Sequence, residues 1–150
     1  MTPLLLASLP NLGDTFQIPN DHPPMIVMIG SSQLSYHQQI IVSSISYGVA
    51  VDDQCGKVIY ISTGDTKFKT PEGLSVNSTL NQVVATGAKT PWPEPGWAYH
   101  TELPSGWSAA FFVGSYATGE PLQPTSKVSW FFKRKRAAGC PTHPSSGTLR

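Results

Sequence analysis

The sequence predicts an α+β domain, a mostly antiparallel sheet with one principal short helix packed on it, and three observations predict it. Short runs rich in Val, Ile, Tyr and Phe recur between clusters of Gly, Pro, Ser and Asp, the pattern of strands separated by turns. A single stretch, 75–87, carries helix punctuation at both ends. Only 13% of residues are charged while the 150 residues include 13 Gly and 14 Pro, a composition that favours a turn-rich sheet over a helical or disordered chain. That length suits one hydrophobic core, so residues 1–136 read as a single domain and 137–150, rich in Pro, Ser and Gly, as a flexible C-terminal tail.

In chain order, Met25-Ile-Val-Met-Ile29 is short, continuous and apolar, and its β-branching favours a buried strand. One or two strands follow within 36–51. The turn Asp52-Asp-Gln-Cys-Gly56 then separates Tyr47-Gly-Val-Ala-Val51 from Lys57-Val-Ile-Tyr-Ile-Ser62, which makes this pair the strongest local hairpin signal. In the helical stretch, Ser78 or Asn77 can cap the free amides. Leu80, Val83 and Val84 fall on one face, and Gly87 supplies a left-handed stop. The prolines of Pro91-Trp-Pro-Glu-Pro-Gly96 argue for a stiff connector without regular pairing. Beyond it, 97–103 alternates as a half-buried strand, Pro104-Ser-Gly106 turns the chain, and 107–113 and 127–132 complete a three-stranded meander.

The passage Gly64 to Leu80, with Thr70-Pro-Glu-Gly-Leu-Ser-Val-Asn-Ser-Thr79 before the helix, resembles uncharacterised exported bacterial α+β domains. In these, a phrase of the type TPEG-x-x-V-x-S-T opens a helix packed on a meander, as in small outer-membrane-assembly lipoproteins and β-lactamase-inhibitor-like modules. The likeness spans roughly 57–112 and departs at Asn77, where such domains more often carry Gly. It implies an exported domain, secreted or periplasmic, and transfers no catalytic residue.

The net charge of +1 conceals an asymmetry. Residues up to Ser126 hold four basic against nine acidic residues, −5, whereas the last 24 residues carry +6. An acidic body argues against a nucleic-acid groove across the domain. No run is long enough to span a membrane. Cys55 and Cys140 allow one disulfide, which would tie the tail to the 52–56 turn in an oxidising compartment; two unpaired thiols are the other reading. No Cys/His spacing suggests a metal site, and no motif calls for a cofactor. Residues 1–10 read either as the remnant of an export signal or as an apolar segment docked on the core.

Candidate acid/base residues are His22, His37, His100, Asp65, Glu72 and Glu102. His100 and Glu102 stand two apart on one strand and so share a face, which makes them the best proton-transfer pair for a small cofactor-free lyase, isomerase or cyclase. The plainer reading is a solvated strand face. No hydrolase, nucleotide-binding or metalloprotease motif is present. The aromatic residues Trp97, Tyr99, Trp107, Phe111, Trp130 and Phe132 crowd the second half and point to a non-enzymatic binding module holding a protein partner or an apolar ligand. Because Phe111-Phe112 and Trp130-Phe131-Phe132 are consecutive, both sheet faces need cover; the helix suits one and the N-terminal segment the other. Asn77-Ser-Thr79 fits a glycosylation acceptor in a eukaryotic secretory route, in competition with helix capping. Lys133-Arg-Lys-Arg136 reads most simply as a charged strand end that discourages edge pairing.

Overall fold

A computed structural model describes residues 3–19 and 25–135. His22, Cys140, His143 and the tail 137–150 lie outside them. The described residues form β1 (Leu4–Leu6), β2 (Met25–Gly30), β3 (Gln33–Val42), β4 (Ile45–Val51) and β5 (Val58–Thr63). Then come α1 (Leu80–Ala85), β6 (Trp92–Glu94), β7 (Ala98–Glu102), β8 (Ser108–Phe111) and β9 (Trp130–Arg134). The strands make one mixed sheet in the order β1-β3-β4-β5-β9-β8-β7-β6, with β2 also pairing β3. Only β1 runs parallel to its neighbour.

This architecture corrects the α+β expectation: the fold is β-rich, with a single six-residue helix against nine strands among the described residues. The helix is short for a local reason. Asn77 holds a left-handed φ of 82°, and the backbone before the helix pairs with the segment leading into β9 through Asn77 N to Val128 O at 3.1 Å and Val128 N to Ser78 O at 2.8 Å. Helical geometry can begin only at Leu80. Its cap is Thr79, beyond both residues the sequence suggested, in a reciprocal capping box with Gln82. Gly87 (φ 91°) does supply the left-handed stop.

The Pro-rich connector also departs from expectation, since Trp92–Glu94 pairs with Ala98–His100. Pro93 is tolerated because β6 is an edge strand, whose outward side needs no ladder donor. Lys133 and Arg134 form the end of β9, where they pair with Ile61 and Tyr60 of β5 and extend past the β8 pairing, which covers only Trp130–Phe132.

The sheet has a core on each face. One gathers Ile40, Val49, Val58, Ile61, Phe68, Leu74, Phe111 and Phe131, and both helix residue Val83 and the N-terminal segment (Leu4, Leu6, Leu9, Leu12) pack there. The second gathers Ile29, Tyr60, Trp97, Ala98 and Phe132. The N-terminal segment therefore shares the helix's face, and the opposite face is covered by β2 through Val27 and Ile29. Alternation explains the division, because Phe131 and Phe132 point to opposite sides of β9.

The 64–80 passage acts as structural wiring. Thr70 N bonds Leu74 O at 2.9 Å, Leu74 N bonds Thr70 Oγ1 at 3.1 Å, and Gly73 takes the φ of 88° that closes the turn. Glu72 then receives Ser105 N at 2.6 Å and Ser105 Oγ at 2.9 Å, fastening this loop to the β7–β8 turn.

Candidate functional site

On the second face, β6 and β7 place Trp92 opposite His100, and β8 places Ala110 and Ser108 opposite His100 and Glu102. These paired positions project on one side of the sheet. Glu94 is the hub. Its Oε1 lies 3.0 Å from His100 Nε2 and 2.6 Å from Arg134 Nη2, while its Oε2 accepts from Arg134 Nη1 at 3.2 Å and Ser31 N at 2.9 Å. Arg134 Nη1 also donates to Ile29 O at 3.0 Å, and its guanidinium lies over the rings of Trp97 and Phe132.

The electrostatics follow from these contacts. Burial alone would raise the Glu94 pKa, but the hydrogen bonds from Arg134, Ser31 and His100 and the guanidinium charge outweigh it and leave the carboxyl at about 2. His100 is lowered, chiefly by burial with a contribution from Arg134, against the opposing pull of Glu94. At neutral pH the pair is thus a carboxylate and a neutral imidazole. A carboxylate only accepts, so Nε2 carries the proton and Nδ1 is left as an acceptor.

A cleft of ≈ 480 Å³ opens beside this cluster, lined among others by Lys89, Trp92, His100, Glu102, Ser108 and Arg134. His100 and Glu102 therefore share a cleft, yet the carboxylate on His100 is Glu94; Glu102 instead pairs with Lys89 Nζ at 2.7 Å. The solvated-face reading fits Glu102, which is exposed, and fails for His100, which is buried. Asp65 is bound by Ser46 N and Lys67 N, each at 2.9 Å, which lower its pKa, and Glu72 holds the β7–β8 turn, so both acids serve the backbone. His37 is half-buried over Gly48.

Of the aromatic residues singled out, Trp97, Trp107, Phe111 and Phe132 are buried, and Tyr99 and Trp130 are half-buried. Their rings pack mainly on one another: Trp97 meets Trp130 at 5.6 Å and Phe132 at 5.1 Å, and Phe68 meets Trp107 at 4.9 Å. A set of directly paired exposed apolar residues lies elsewhere, on the β2–β3 hairpin. There Ile26 pairs with Tyr36 and Met28 with Leu34 on the side away from Val27 and Ile29. Ile26 is 62% exposed and Leu34 66%. Asn77 is exposed and does not cap the helix. Cys55 sits in the turn after β4, and its candidate partner lies outside the described residues.

Sequence reasoning missed Glu94 and Arg134. The signal was period two: Trp92 and Glu94 alternate with Pro93, and Arg134 continues the face of Trp130 and Phe132. No helix among the described residues is long and apolar enough to cross a membrane. No protein-family model, curated protein or solved structure matches the chain.

Proposed function

We propose that this chain is a non-enzymatic binding module that takes a protein partner on the exposed apolar face of its β2–β3 hairpin, and that it works outside the cytoplasm. The observation that carries the reading is the directly paired, exposed set Ile26/Tyr36 and Met28/Leu34. No Asp, Glu, Lys or Arg occurs between residues 25 and 51, so the hairpin lacks the charges that normally keep sheet surfaces from associating. An apolar, unguarded face of this kind suits a protein surface of matching character. The aromatic residues of the second meander support the module from within by fixing the face on which the hairpin lies.

The test is photo-crosslinking in cells that express the chain natively, with a photoreactive residue at Leu34 and, as control, at Tyr116, which is also exposed and lies outside the hairpin. Leu34 should give a discrete heavier adduct that Ile26→Glu abolishes, and Tyr116 should not. No adduct from Leu34, or the same products from both positions, overturns the reading. Fractionation that finds the chain only in the cytoplasm overturns its location.

The acid/base reading ranks second, and what favours it is an imidazole oriented by a carboxylate beside a cleft. In that case His100 acts with Glu94 behind it, and Glu102 at the rim meets the substrate. Activity that survives His100→Ala would remove it.

A further inference from the structure

The cleft on the second face has a chemistry of its own that the hairpin reading does not use. Its charges are cancelled from within. Lys89 is paired with Glu102 at 2.7 Å and Arg134 with Glu94 at 2.6 Å, so a charged ligand would find no net counter-charge. Its volume of ≈ 480 Å³ lies inside the range of small-molecule sites, about 300–1,000 Å³.

Its free hydrogen-bonding groups are specific. His100 Nε2 is occupied by Glu94, and Nδ1 has no partner among the described residues. Gln38 Oε1 is the single buried side-chain polar atom left without a hydrogen bond among those residues, so Nδ1 is not sealed in the core. It is an acceptor on a residue that lines the cleft. Ser108 Oγ, opposite Glu102 and diagonal to His100, also lacks a partner among the described residues and can both donate and accept. Trp92 stands at the cleft with its ring 4.6 Å from that of His100 and 53% of its surface exposed. The face of an indole carries the negative side of its quadrupole and attracts C–H groups laid against it.

We propose that this cleft binds one ring of a neutral saccharide, its apolar face on Trp92 and its hydroxyl groups shared among His100 Nδ1, Ser108 Oγ and the Glu102 carboxylate. Each part answers a feature of the site. A ring with one apolar face uses the indole, hydroxyl donors use the acceptors, and absence of charge matches the internal pairing.

The test is NMR titration of the full chain, reading the His100 imidazole resonances, with neutral gluco-, chito- and manno-oligosaccharides and with an acidic oligogalacturonate for comparison. At least one neutral oligosaccharide should shift these resonances saturably. Trp92→Ala, and Trp92→Leu, which keeps apolar bulk without the aromatic face, should weaken that binding about tenfold. Ser108→Ala should weaken it by less. The proposal falls if no neutral oligosaccharide moves His100, if the acidic one binds more tightly, or if folded Trp92→Leu binds as the parent does. The hairpin crosslink is independent of each of these results.

Discussion

Arg134 Nη2 lies 2.6 Å from Glu94 Oε1, although β8 and β7 stand between their strands in the sheet order. Such a contact forms only because the sheet curls over its second face. The same curl brings the hairpin turn to the far edge, where Ser31 N donates to Glu94, Ser31 Oγ to Pro95 O, and Trp97 Nε1 to Met28 O at 3.3 Å. The two ends of the sheet are thus joined through side chains, with Glu94 receiving from both. Functionally, this joint fixes the hairpin on one side and orients His100 on the other.

Removing Arg134 leaves Glu94 as a largely buried carboxylate with too few partners. Arg134→Met should therefore destabilise the fold by about 2 kcal/mol, the partial exposure of the pair keeping the loss below that of a fully buried one. Glu94→Gln should cost a similar amount alone, and the double variant less than the sum. Urea titrations of the four proteins measure the coupling directly. Strict additivity would show that the contact does not form.

The pH dependence has two limbs. For His100 the folded pKa is lowered from 6.5, so the unfolded chain takes up a proton first and stability falls as pH drops below about 6.5. His37, lowered by burial, adds to the same limb. For Glu94 the folded pKa is about 2 against 4.5, so its contribution is present above 4.5 and is lost as pH falls towards 2. Chemical denaturation should give steady stability above pH 7, a decline below 6.5 and a steeper one below 4.5. Glu94→Gln should shrink the lower limb, to which Asp65 and Glu72, both lowered, also contribute, and retain the upper.

Much of the sheet was legible because strand signals are local. Alternation and β-branching mark 25–29, 47–51 and 97–103, and the Asp/Gly turn between β4 and β5 identifies their hairpin. What escaped depends on the third dimension. Glu94 and Arg134 are 40 residues apart, and only the curl of the sheet makes them partners. The cover of the second face escaped for the same reason: nothing local to Val27 or Ile29 says that they lie over Tyr60 and Phe132. His100 and Glu102 were correctly set on one side of a strand, but the depth at which each sits comes from neighbouring strands.

Thr79 offers a local test of the helix. Its hydroxyl accepts from Gln82 N at 3.3 Å while Gln82 Oε1 accepts from Thr79 N at 2.9 Å. Thr79→Ala removes one of these and should cost about 1 kcal/mol in thermal or urea unfolding. Ser78→Ala should not reproduce a capping loss, because Ser78 Oγ accepts from Ser75 N, ahead of the helix.

Gly48 is required for a reason that its neighbours in sequence do not reveal. The His37 ring, reaching across from β3, fills the space above it, and a Cβ at this position would lie 1.6 Å from Nε2 and 2.5 Å from Cε1. The ring must move if any side chain is added. Its room to move is on either side, where His37 lines hollows of ≈ 310 and ≈ 230 Å³. Gly48→Ala should therefore fold with a displaced His37 and a loss of about 1–3 kcal/mol, the usual penalty for overfilling a packed site. In NMR spectra the His37 ring resonances should shift while those of His100 stay in place. Pairing the change with His37→Ala, which vacates the space, should recover most of the loss. An unaltered melting temperature for Gly48→Ala alone would mean that the ring does not rest on this glycine.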